Sequence, residues 1–288
     1  PRSKLRLQAP SVKAGLSPAF FMHYYRRMDK PDKKTVSLVL GSGGARGLAH
    51  IGVIHVLEEK GYEIRSISGC SAGALVGGIY AAGKLQEYEE WVRQIRRFDM
   101  INLLDIAWVG GGLVKGDKVI RIMRDLVGER LIEDLPIPFT AVATELESGR
   151  EVWLSEGPLF DAIRSSCSLP IFFTPSKFRG TMLVDGGVVN PVPIAPVFDD
   201  HTDITIAVNL GGKPQKDPAP DRKKDIGAAD VAYLVFDAMQ STIARQKLAA
   251  YPADLTIEIP RDAAKTFEID RAAEMIELGR KAALETLP

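Results

Sequence analysis

One serine stands in a sequence pattern that is typical of enzyme nucleophiles. Ser71 is the centre of Gly-Cys-Ser-Ala-Gly at residues 69–73, between a predicted strand and a helix of small residues. In such a turn Gly69 and Gly73 permit the strained backbone that lifts the serine hydroxyl above a sheet. Ala72 then opens the helix, and its N–H group points at the reaction centre. The pattern predicts acyl transfer with Ser71 as the nucleophile.

A glycine-rich turn earlier in the chain offers a second part of an acyl-transfer site. The predicted strand at 35–40 runs into Gly-Ser-Gly-Gly-Ala-Arg-Gly at residues 41–47. Its four glycines leave several backbone N–H groups unshielded, and such donors stabilise a developing oxyanion. A nucleotide-binding turn is the rival interpretation. However, Arg46 stands where G-x-G-x-x-G needs its third glycine, and no Gly-Lys-Ser/Thr follows.

The base that would activate Ser71 is not expected to be a histidine. In an ordinary α/β-hydrolase triad, an acid and then a histidine follow the serine along the chain. After Ser71 the sequence has one histidine, His201, in a polar stretch just before the predicted strand at 203–209. Sites in parallel sheets form at the carboxyl ends of the strands, so His201 would lie at the wrong end.

Asp185 is the better candidate for the base. It ends a short predicted strand at 182–184 and should therefore lie at the same edge of the sheet as Ser71. Gly186 and Gly187 follow it and would let the backbone turn and a substrate approach. A carboxylate can accept the serine proton if burial raises its pKa towards neutrality. A tight turn alone is the other explanation of Asp-Gly-Gly.

Strands and helices alternate along most of the chain and must position these residues. The predicted strands are 35–40, 64–68, 138–144, 151–154, 182–184, 203–209 and 255–259. The predicted helices are 48–60, 72–82, 85–98, 117–127, 157–166, 228–249 and 269–287. This alternation predicts an α/β protein, a single three-layer α/β/α domain with a mostly parallel central sheet. Asp117 is expected to cap its helix.

The composition fits one α/β domain and selects no charged partner. The chain of 288 residues is 45% hydrophobic and balances 37 Lys and Arg against 37 Asp and Glu, so no global field favours nucleic acid. Its two cysteines make neither a disulfide framework nor a metal cluster, which fits a reducing compartment. No apolar run approaches the roughly 18 residues of a membrane span, and no signal peptide is evident. We therefore expect a cytoplasmic protein.

Two segments have alternative explanations. Residues 1–34 carry nine basic and two acidic side chains and are predicted to form an N-terminal arm before a domain at 35–288. The arm either covers a sheet edge or binds a membrane surface through the aromatic and Arg-containing segment 18–27. Residues 100–116 include three consecutive glycines and form either a buried connection or a mobile flap over an apolar pocket.

Taken together, the motifs resemble those of the patatin-like phospholipases, which are α/β lipid acyl hydrolases with a Ser–Asp dyad. The resemblance covers residues 36–193 and includes the turns at 41–47 and 69–73 and Asp-Gly-Gly at 185–187. The segment Ala-Ile-Arg-Ser-Ser-Cys-Ser-Leu-Pro at 162–170 also resembles a family segment. The C-terminal strand and helices are similar to those of small bacterial members related to the catalytic domain of neuropathy target esterase.

The resemblance implies a role for each motif. Ser71 would be the nucleophile and Asp185 the base, Gly69 and Gly73 would shape the nucleophile elbow, and Gly186–Gly187 would complete the dyad motif. The implied oxyanion donors are the backbone N–H groups of Gly43, Gly44, Ala45 and Arg46, with help from that of Ala72. The resemblance also implies a phospholipid or other lipid ester as the substrate and no metal ion or other cofactor.

Several points stay open in this prediction. The Arg46 guanidinium would either hold a lipid phosphate or form a structural ion pair that braces the loop. Cys70 stands where the family more often has Thr, and a small thiol is not expected to change the mechanism. The activity would be that of a phospholipase A, lysophospholipase or esterase, with peripheral membrane contact as one alternative. A regulatory protein with little turnover and an acyltransferase with an acceptor other than water are the competing functions.

Overall fold

The structure is a computed structural model that describes residues 33–96, 99, 116–170, 172–215 and 227–288. The predicted arm lies outside these residues, except for Lys33 and Lys34. All of the predicted flap lies outside them as well, except for Gly116. The alternatives for both segments therefore stay predictions.

Eight strands form one mixed sheet in the described part of the chain. They are β1 (Thr35–Leu40), β2 (Glu63–Cys70), β3 (Phe139–Glu145), β4 (Glu151–Leu154), β5 (Ser176–Phe178), β6 (Thr181–Asp185), β7 (Ile204–Gly212) and β8 (Leu255–Pro260). Their order is β5-β6-β3-β2-β1-β7-β8, and β4 also pairs with β3. The pairs among β1, β2, β3, β7 and β8 are parallel, whereas β4, β5 and β6 pair antiparallel. The predicted mostly parallel sheet is confirmed.

Seven α-helices accompany the sheet within the described ranges. They are α1 (Ala49–Glu59), α2 (Ala72–Ala81), α3 (Leu85–Gln94), α4 (Asp117–Val127), α5 (Leu159–Ser166), α6 (Ala228–Ala250) and α7 (Ala272–Thr286). A 3-10 turn, Gly44–Leu48, leads into α1. The prediction that Asp117 caps α4 is wrong, since Gly116 takes the cap position with a φ of 70° and Asp117 is the first helical residue. No described helix is long and apolar enough to cross a membrane.

Apolar side chains of β1 alternate between the two faces of the sheet. Leu38 and Leu40 belong to the larger core, which includes buried residues of α1, α2 and α7. Val39 belongs to a second core with Ala207 of β7 and Ala244 of α6. Because successive side chains of a strand point to opposite faces, the sheet is covered on both sides. The predicted three-layer arrangement is therefore confirmed.

The strand that ends at Asp185, β6, runs antiparallel to both of its neighbours, β3 and β5. β4 pairs with β3 over residues 141–144 and occupies one hydrogen-bonding edge of β3. β2 and β6 must therefore share the other edge, where Cys70 pairs with Val142 and Asp185 with Ala143. The two strands meet end to end. An antiparallel β6 thus brings Asp185 to the carboxyl end of β2.

Two glycines let α1 and α7 pack with their backbones in contact. A Cβ atom on Gly52 of α1 would lie 1.9 Å from the Ile276 carbonyl oxygen. A Cβ atom on Gly279 of α7 would lie 1.9 Å from the Ala49 carbonyl oxygen. Since α1 follows the glycine-rich turn directly, this contact anchors one end of the loop.

We predict that Gly279→Ala destabilises the protein, although alanine is the better helix former. The methyl group must push the helices apart, and overpacking of this kind costs about 1–3 kcal/mol. Because the added Cβ would lie 1.9 Å from a backbone oxygen, we expect the cost to fall in the upper part of this range and to exceed the roughly 1 kcal/mol that alanine gains in helix propensity. The urea midpoint should fall, whereas Glu277→Ala at an exposed position of α7 should leave it nearly unchanged. An unchanged midpoint for Gly279→Ala would contradict this packing.

Candidate active site

Ser71 occupies a sharp, strained turn between β2 and α2. Its φ of 53° and ψ of −119° are rare for a residue with a side chain. The glycines on either side are required by close packing. A Cβ atom on Gly69 would lie 2.6 Å from the Gly73 carbonyl oxygen, and one on Gly73 would lie 2.0 Å from that of Leu40. The G-x-S-x-G pattern is therefore also a packing requirement.

The C-terminal end of α5 holds the backbone of Ser71 in place. The Ser71 N–H donates to Ser166 Oγ at 2.8 Å, and Ser166 Oγ donates to the Val142 carbonyl at 2.6 Å. The Cys167 thiol donates to the Ser71 carbonyl at 3.2 Å. The sequence singled out the segment 162–170 through its family resemblance alone and gave no role to these side chains.

Asp185 is fully buried beside this turn. Burial raises the pKa of its carboxyl from 3.8 to about 6, because the charged form loses its hydration. Hydrogen bonds to the carboxyl oppose this rise by stabilising the charge. The Gly187 N–H donates to Oδ1 at 2.7 Å, and the Cys70 thiol lies 3.8 Å from the same oxygen as a weak donor.

The Ser71 hydroxyl lies close enough to Asp185 to lower the pKa of the carboxyl as a hydrogen-bond donor. The contact falls outside standard hydrogen-bond geometry, since Asp185 Oδ2 is buried and has no such partner among the described residues. Catalytic hydrogen bonds are often long in the free enzyme and tighten when substrate binds. The structure thus brings Ser71 and Asp185 together and leaves Oδ2 able to accept a proton.

The glycine-rich turn keeps two of its four predicted oxyanion donors free. The Ala45 N–H donates to the Thr266 carbonyl at 2.9 Å, and the Arg46 N–H to the Gly43 carbonyl at 3.3 Å. Within the described residues, the N–H groups of Gly43 and Gly44 have no acceptor. Gly43 and Gly44 are therefore better candidates for oxyanion donors than Ala45 and Arg46.

The same turn packs directly against the start of α2. Gly47 approaches Ala72 so closely that a Cβ atom on it would lie 2.3 Å from the Ala72 Cβ. As the first residue of α2, Ala72 has no acceptor for its N–H within the helix. Gly43, Gly44, Ala72 and Ser71 all line one pocket. The candidate donors and the candidate nucleophile therefore share a single site.

Arg46 forms the structural ion pair that was one of its two predicted roles. Its side chain is buried, and Nε donates to the Gly43 carbonyl at 3.0 Å. The other guanidinium nitrogens donate to the Arg261 carbonyl at 2.6 Å and to Asp237 Oδ1 at 3.0 Å. The guanidinium is thus held by the protein, and the alternative of a phosphate-binding Arg46 is not supported.

Neither His50 nor His201 forms a hydrogen bond with Ser71 in the described structure. His50 is buried with Nε2 2.9 Å from the Gly41 carbonyl, to which the ring must donate. Burial lowers the pKa of His50 to about 4, so the ring is neutral near pH 7. His201 is exposed before β7, which runs parallel to β1, and lies at the opposite end of the strands from Ser71.

An apolar pocket opens above Ser71 and the glycine turn. Its walls come from α2, α4, α6 and two connecting segments, and the larger apolar side chains are Leu75, Val76, Ile120, Phe173, Phe236 and Phe267. Its lining also includes Ser71 and the two glycines, Gly43 and Gly44, whose N–H groups have no acceptor among the described residues. An apolar cleft with a few convergent polar groups suits a ligand that joins a hydrocarbon chain to a carbonyl group.

Helix α6 contributes residues that the sequence did not mark as functional. Besides Phe236 and Asp237, its Gln240 reaches the site and donates from Nε2 to Ser42 Oγ at 3.2 Å. The Gln240 amide also covers Gly187, where a Cβ atom would lie 1.9 Å from Nε2. The sequence predicted this helix as amphipathic, but a polar residue on an amphipathic helix carries no motif.

A family model and relatives found by sequence both identify the family of this chain. A family model described as patatin-like phospholipase matches residues 38–198. An NTE family protein of Mycobacterium tuberculosis is 36% identical over 88% of this chain and 91% of its own length. The lysophospholipase nte1 of Emericella nidulans is 32% identical over 62% of this chain but only 12% of its own. The crystal structure of VipD from Legionella pneumophila matches with a TM-score of 0.48 and 14% identity, over 89% of this chain and 67% of that one.

We predict that Asp185→Asn stabilises the protein near neutral pH. A carboxyl whose pKa is about 6 in the folded protein, against 3.8 ordinarily, binds more protons when folded, so folding weakens as pH rises between these values. Above pH 6 the free energy of unfolding is lower by roughly 3 kcal/mol at most, at about 1.4 kcal/mol per unit of the pKa difference. Asparagine carries no charge and keeps an acceptor for the Gly187 N–H.

The measurement is the melting temperature of the wild type and of Asp185→Asn between about pH 4 and pH 8. The variant should melt higher than the wild type at about pH 8, and the difference should shrink towards pH 4 as Asp185 becomes protonated. His50 titrates in both proteins, so its effect cancels in the difference. Asp270→Asn at an exposed position is the control and should show no such trend. A difference that does not change with pH would contradict a buried, charged Asp185.

Proposed function

The chain belongs to the patatin-like phospholipase family, and we propose that it is a serine lipid acyl hydrolase that works through Ser71 and Asp185. The family supports lipid hydrolysis as the activity. The observation that carries the proposal is a buried carboxyl of raised pKa, with Oδ2 unpaired in the described structure, beside a serine on a strained turn. This pairing can move a proton without an imidazole.

In the first step, Ser71 Oγ attacks the ester carbonyl carbon while Asp185 accepts the hydroxyl proton. A carboxyl with a pKa of about 6 is ionised at neutral pH and is a stronger base than an ordinary aspartate. The N–H groups of Gly43, Gly44 and Ala72 are the donors for the oxyanion of the tetrahedral intermediate. As the intermediate collapses, the ester C–O bond breaks and Asp185 returns the proton to the leaving alcohol.

In the second step, water hydrolyses the acyl-enzyme. Asp185 accepts a proton from water as the water oxygen attacks the acyl carbonyl, and the same N–H groups bind the oxyanion. Collapse then breaks the bond to Ser71 Oγ, which takes the proton back from Asp185. The fatty acid leaves, and both side chains return to their starting states.

The proposed substrate is a phospholipid or another lipid ester. Support comes from the apolar pocket, whose aromatic and aliphatic side chains suit an acyl chain with its carbonyl near Ser71. Arg46 is excluded as the phosphate ligand in this proposal, because its guanidinium already binds Asp237 and two carbonyl groups. Peripheral contact with a membrane would fit such a substrate and stays part of the proposal.

We predict that Ser71→Ala and Asp185→Asn each lower kcat by at least about a thousandfold, because members of one catalytic unit fail together. The assay uses a short p-nitrophenyl ester and a phospholipid, with release of free fatty acid as the readout. His201→Ala, at the far end of the strands, should keep wild-type turnover. Turnover that survives in either dyad variant would rule out this mechanism.

The wild type and the Ser71→Ala variant also distinguish the hydrolase from the competing functions. A fluorophosphonate probe should label Ser71 in the wild type and not in Ser71→Ala. A folded wild type that is neither labelled nor active would favour a regulatory protein. Product analysis with an added alcohol would identify an acyltransferase, since the acyl group would then appear on the alcohol instead of as free acid.

We also predict that kcat/KM of the wild type rises with pH through a midpoint near 6, the pKa of Asp185. Below this midpoint the carboxyl is protonated and cannot accept the Ser71 proton, and above it the base is fully available. The profile should be measured on a neutral short ester between about pH 5 and 8, where the substrate itself does not titrate. A flat or falling profile would contradict Asp185 as the base.

A further inference from the structure

Helix α6 lies outside the stretch matched by the family model, yet it contacts the glycine-rich turn. Asp237 of α6 binds the Arg46 guanidinium at 3.0 Å, with 4% of the Arg46 side chain and 19% of the Asp237 side chain exposed. An ion pair this well shielded from water has a fixed geometry, and removal of one partner leaves the other charge uncompensated. The position of Arg46 therefore depends on α6.

Arg46 in turn fixes the orientation of one peptide group. Its Nε donates to the Gly43 carbonyl at 3.0 Å, which is shorter than the 3.3 Å bond from its own backbone N–H to the same oxygen. The Gly43–Gly44 peptide is trans, so the Gly44 N–H points in the opposite direction to that carbonyl. This N–H is one of the groups that have no acceptor within the described residues. Arg46 thus holds the carbonyl on its own side and leaves the N–H for a ligand in the pocket.

This peptide group needs such a restraint, because it lies between two glycines. A flip that exchanges the directions of the carbonyl and the N–H changes ψ of Gly43 and φ of Gly44, and neither residue has a Cβ atom to oppose it. Gly44 already has a φ of 58°. A flipped peptide would present a carbonyl oxygen, which repels an oxyanion, where a donor is needed.

We propose that Asp237 is a positioning residue for the oxyanion site: it holds Arg46, which keeps the Gly44 N–H directed at the reacting carbonyl. The inference rests on the proposed function, since it assigns a role within the same reaction. Asp237 does not touch the substrate. It acts through Arg46, and the guanidinium fork suits this task because its nitrogens bind a carboxylate and two carbonyl groups at once.

The role predicts a specific kinetic signature. An oxyanion exists in the transition state and not in the bound substrate, so loss of Asp237 should lower kcat and leave KM unchanged. A trifluoromethyl ketone, which adds to a serine hydroxyl and forms an oxyanion, should lose affinity by the same factor. A variant that is merely less stable would not lose kcat and this affinity in proportion.

The experiment measures kcat, KM and trifluoromethyl ketone affinity for Asp237→Ala, Asp237→Asn and Asp237→Glu on a short p-nitrophenyl ester. Asp237→Ala should lose at least about tenfold in kcat and in affinity, with KM within about twofold. Asp237→Glu should recover most of the loss. Asp237→Asn keeps the side-chain shape and serves as the test if the alanine variant fails to fold. Its kcat and inhibitor affinity should fall severalfold, because a neutral acceptor binds a guanidinium more weakly.

A double variant tests whether Asp237 acts through Arg46. Arg46→Lys has no Nε to hold the Gly43 carbonyl, so adding Asp237→Ala to it should lower kcat by less than about twofold. Glu59→Ala is the matched control, because it removes the more exposed ion pair between Glu59 and Arg280 on α1 and α7. It should leave kcat and inhibitor affinity unchanged.

The outcomes separate this inference from the proposed function. If the wild type hydrolyses the ester and Ser71 is labelled, but folded Asp237→Asn and Asp237→Ala keep kcat and inhibitor affinity within about twofold, the inference is overturned alone. Additive losses in the Arg46→Lys background would also overturn it. If the wild type shows neither turnover nor labelling of Ser71, the proposed function fails and the inference fails with it.

Discussion

The burial of one carboxyl group where two strands meet end to end is the constraint on which the candidate site depends. β2 and β6 share an edge of β3, so Cys70 and Asp185 are placed at adjoining positions of that strand. Water is excluded from this junction, and the Asp185 carboxyl loses the hydration that would keep it a weak base. A parallel β6 would have carried the acid in the other direction along the sheet. The direction of one short strand therefore determines whether serine and acid can meet.

The surroundings of this carboxyl are fixed by close contacts, as the proposed chemistry requires. Ser71 is strained, and backbone strain persists only when neighbouring contacts fix the conformation. Here the neighbours are the close-packed glycines of the turn and the hydroxyl of Ser166, which bonds the Ser71 N–H. The glycine turn rests on Ala72 with almost no space between them. A small movement of either loop would therefore be transmitted to the other.

Much of this arrangement could be predicted from sequence, and there are physical reasons why the rest could not. Residue periodicity located the strands and helices, and the spacing of glycines around Ser71 predicted its turn. Periodicity carries no information on strand direction, so the direction of β6 could not be predicted from the sequence. The sequence could not show which N–H groups of the glycine turn lack an acceptor, because the Ala45 N–H donates to the carbonyl of Thr266, which is remote in sequence. Asp237 was missed because one acid on an amphipathic helix looks like any other exposed residue.

The place of β1 within the sheet has a consequence for how the protein forms. β1 is a central strand, and one of its neighbours, β7, is synthesised long after it. Thr35 at the start of β1 is hydrogen-bonded to Asp203, which is 168 residues away in the sequence. Contacts between such distant segments form slowly. During synthesis the serine turn can assemble on β2 well before α6 and the Thr266 segment leave the ribosome and fix the glycine loop. A nascent chain would thus form the Ser71 turn before the contacts of Asp237 and Thr266 with the glycine loop are made.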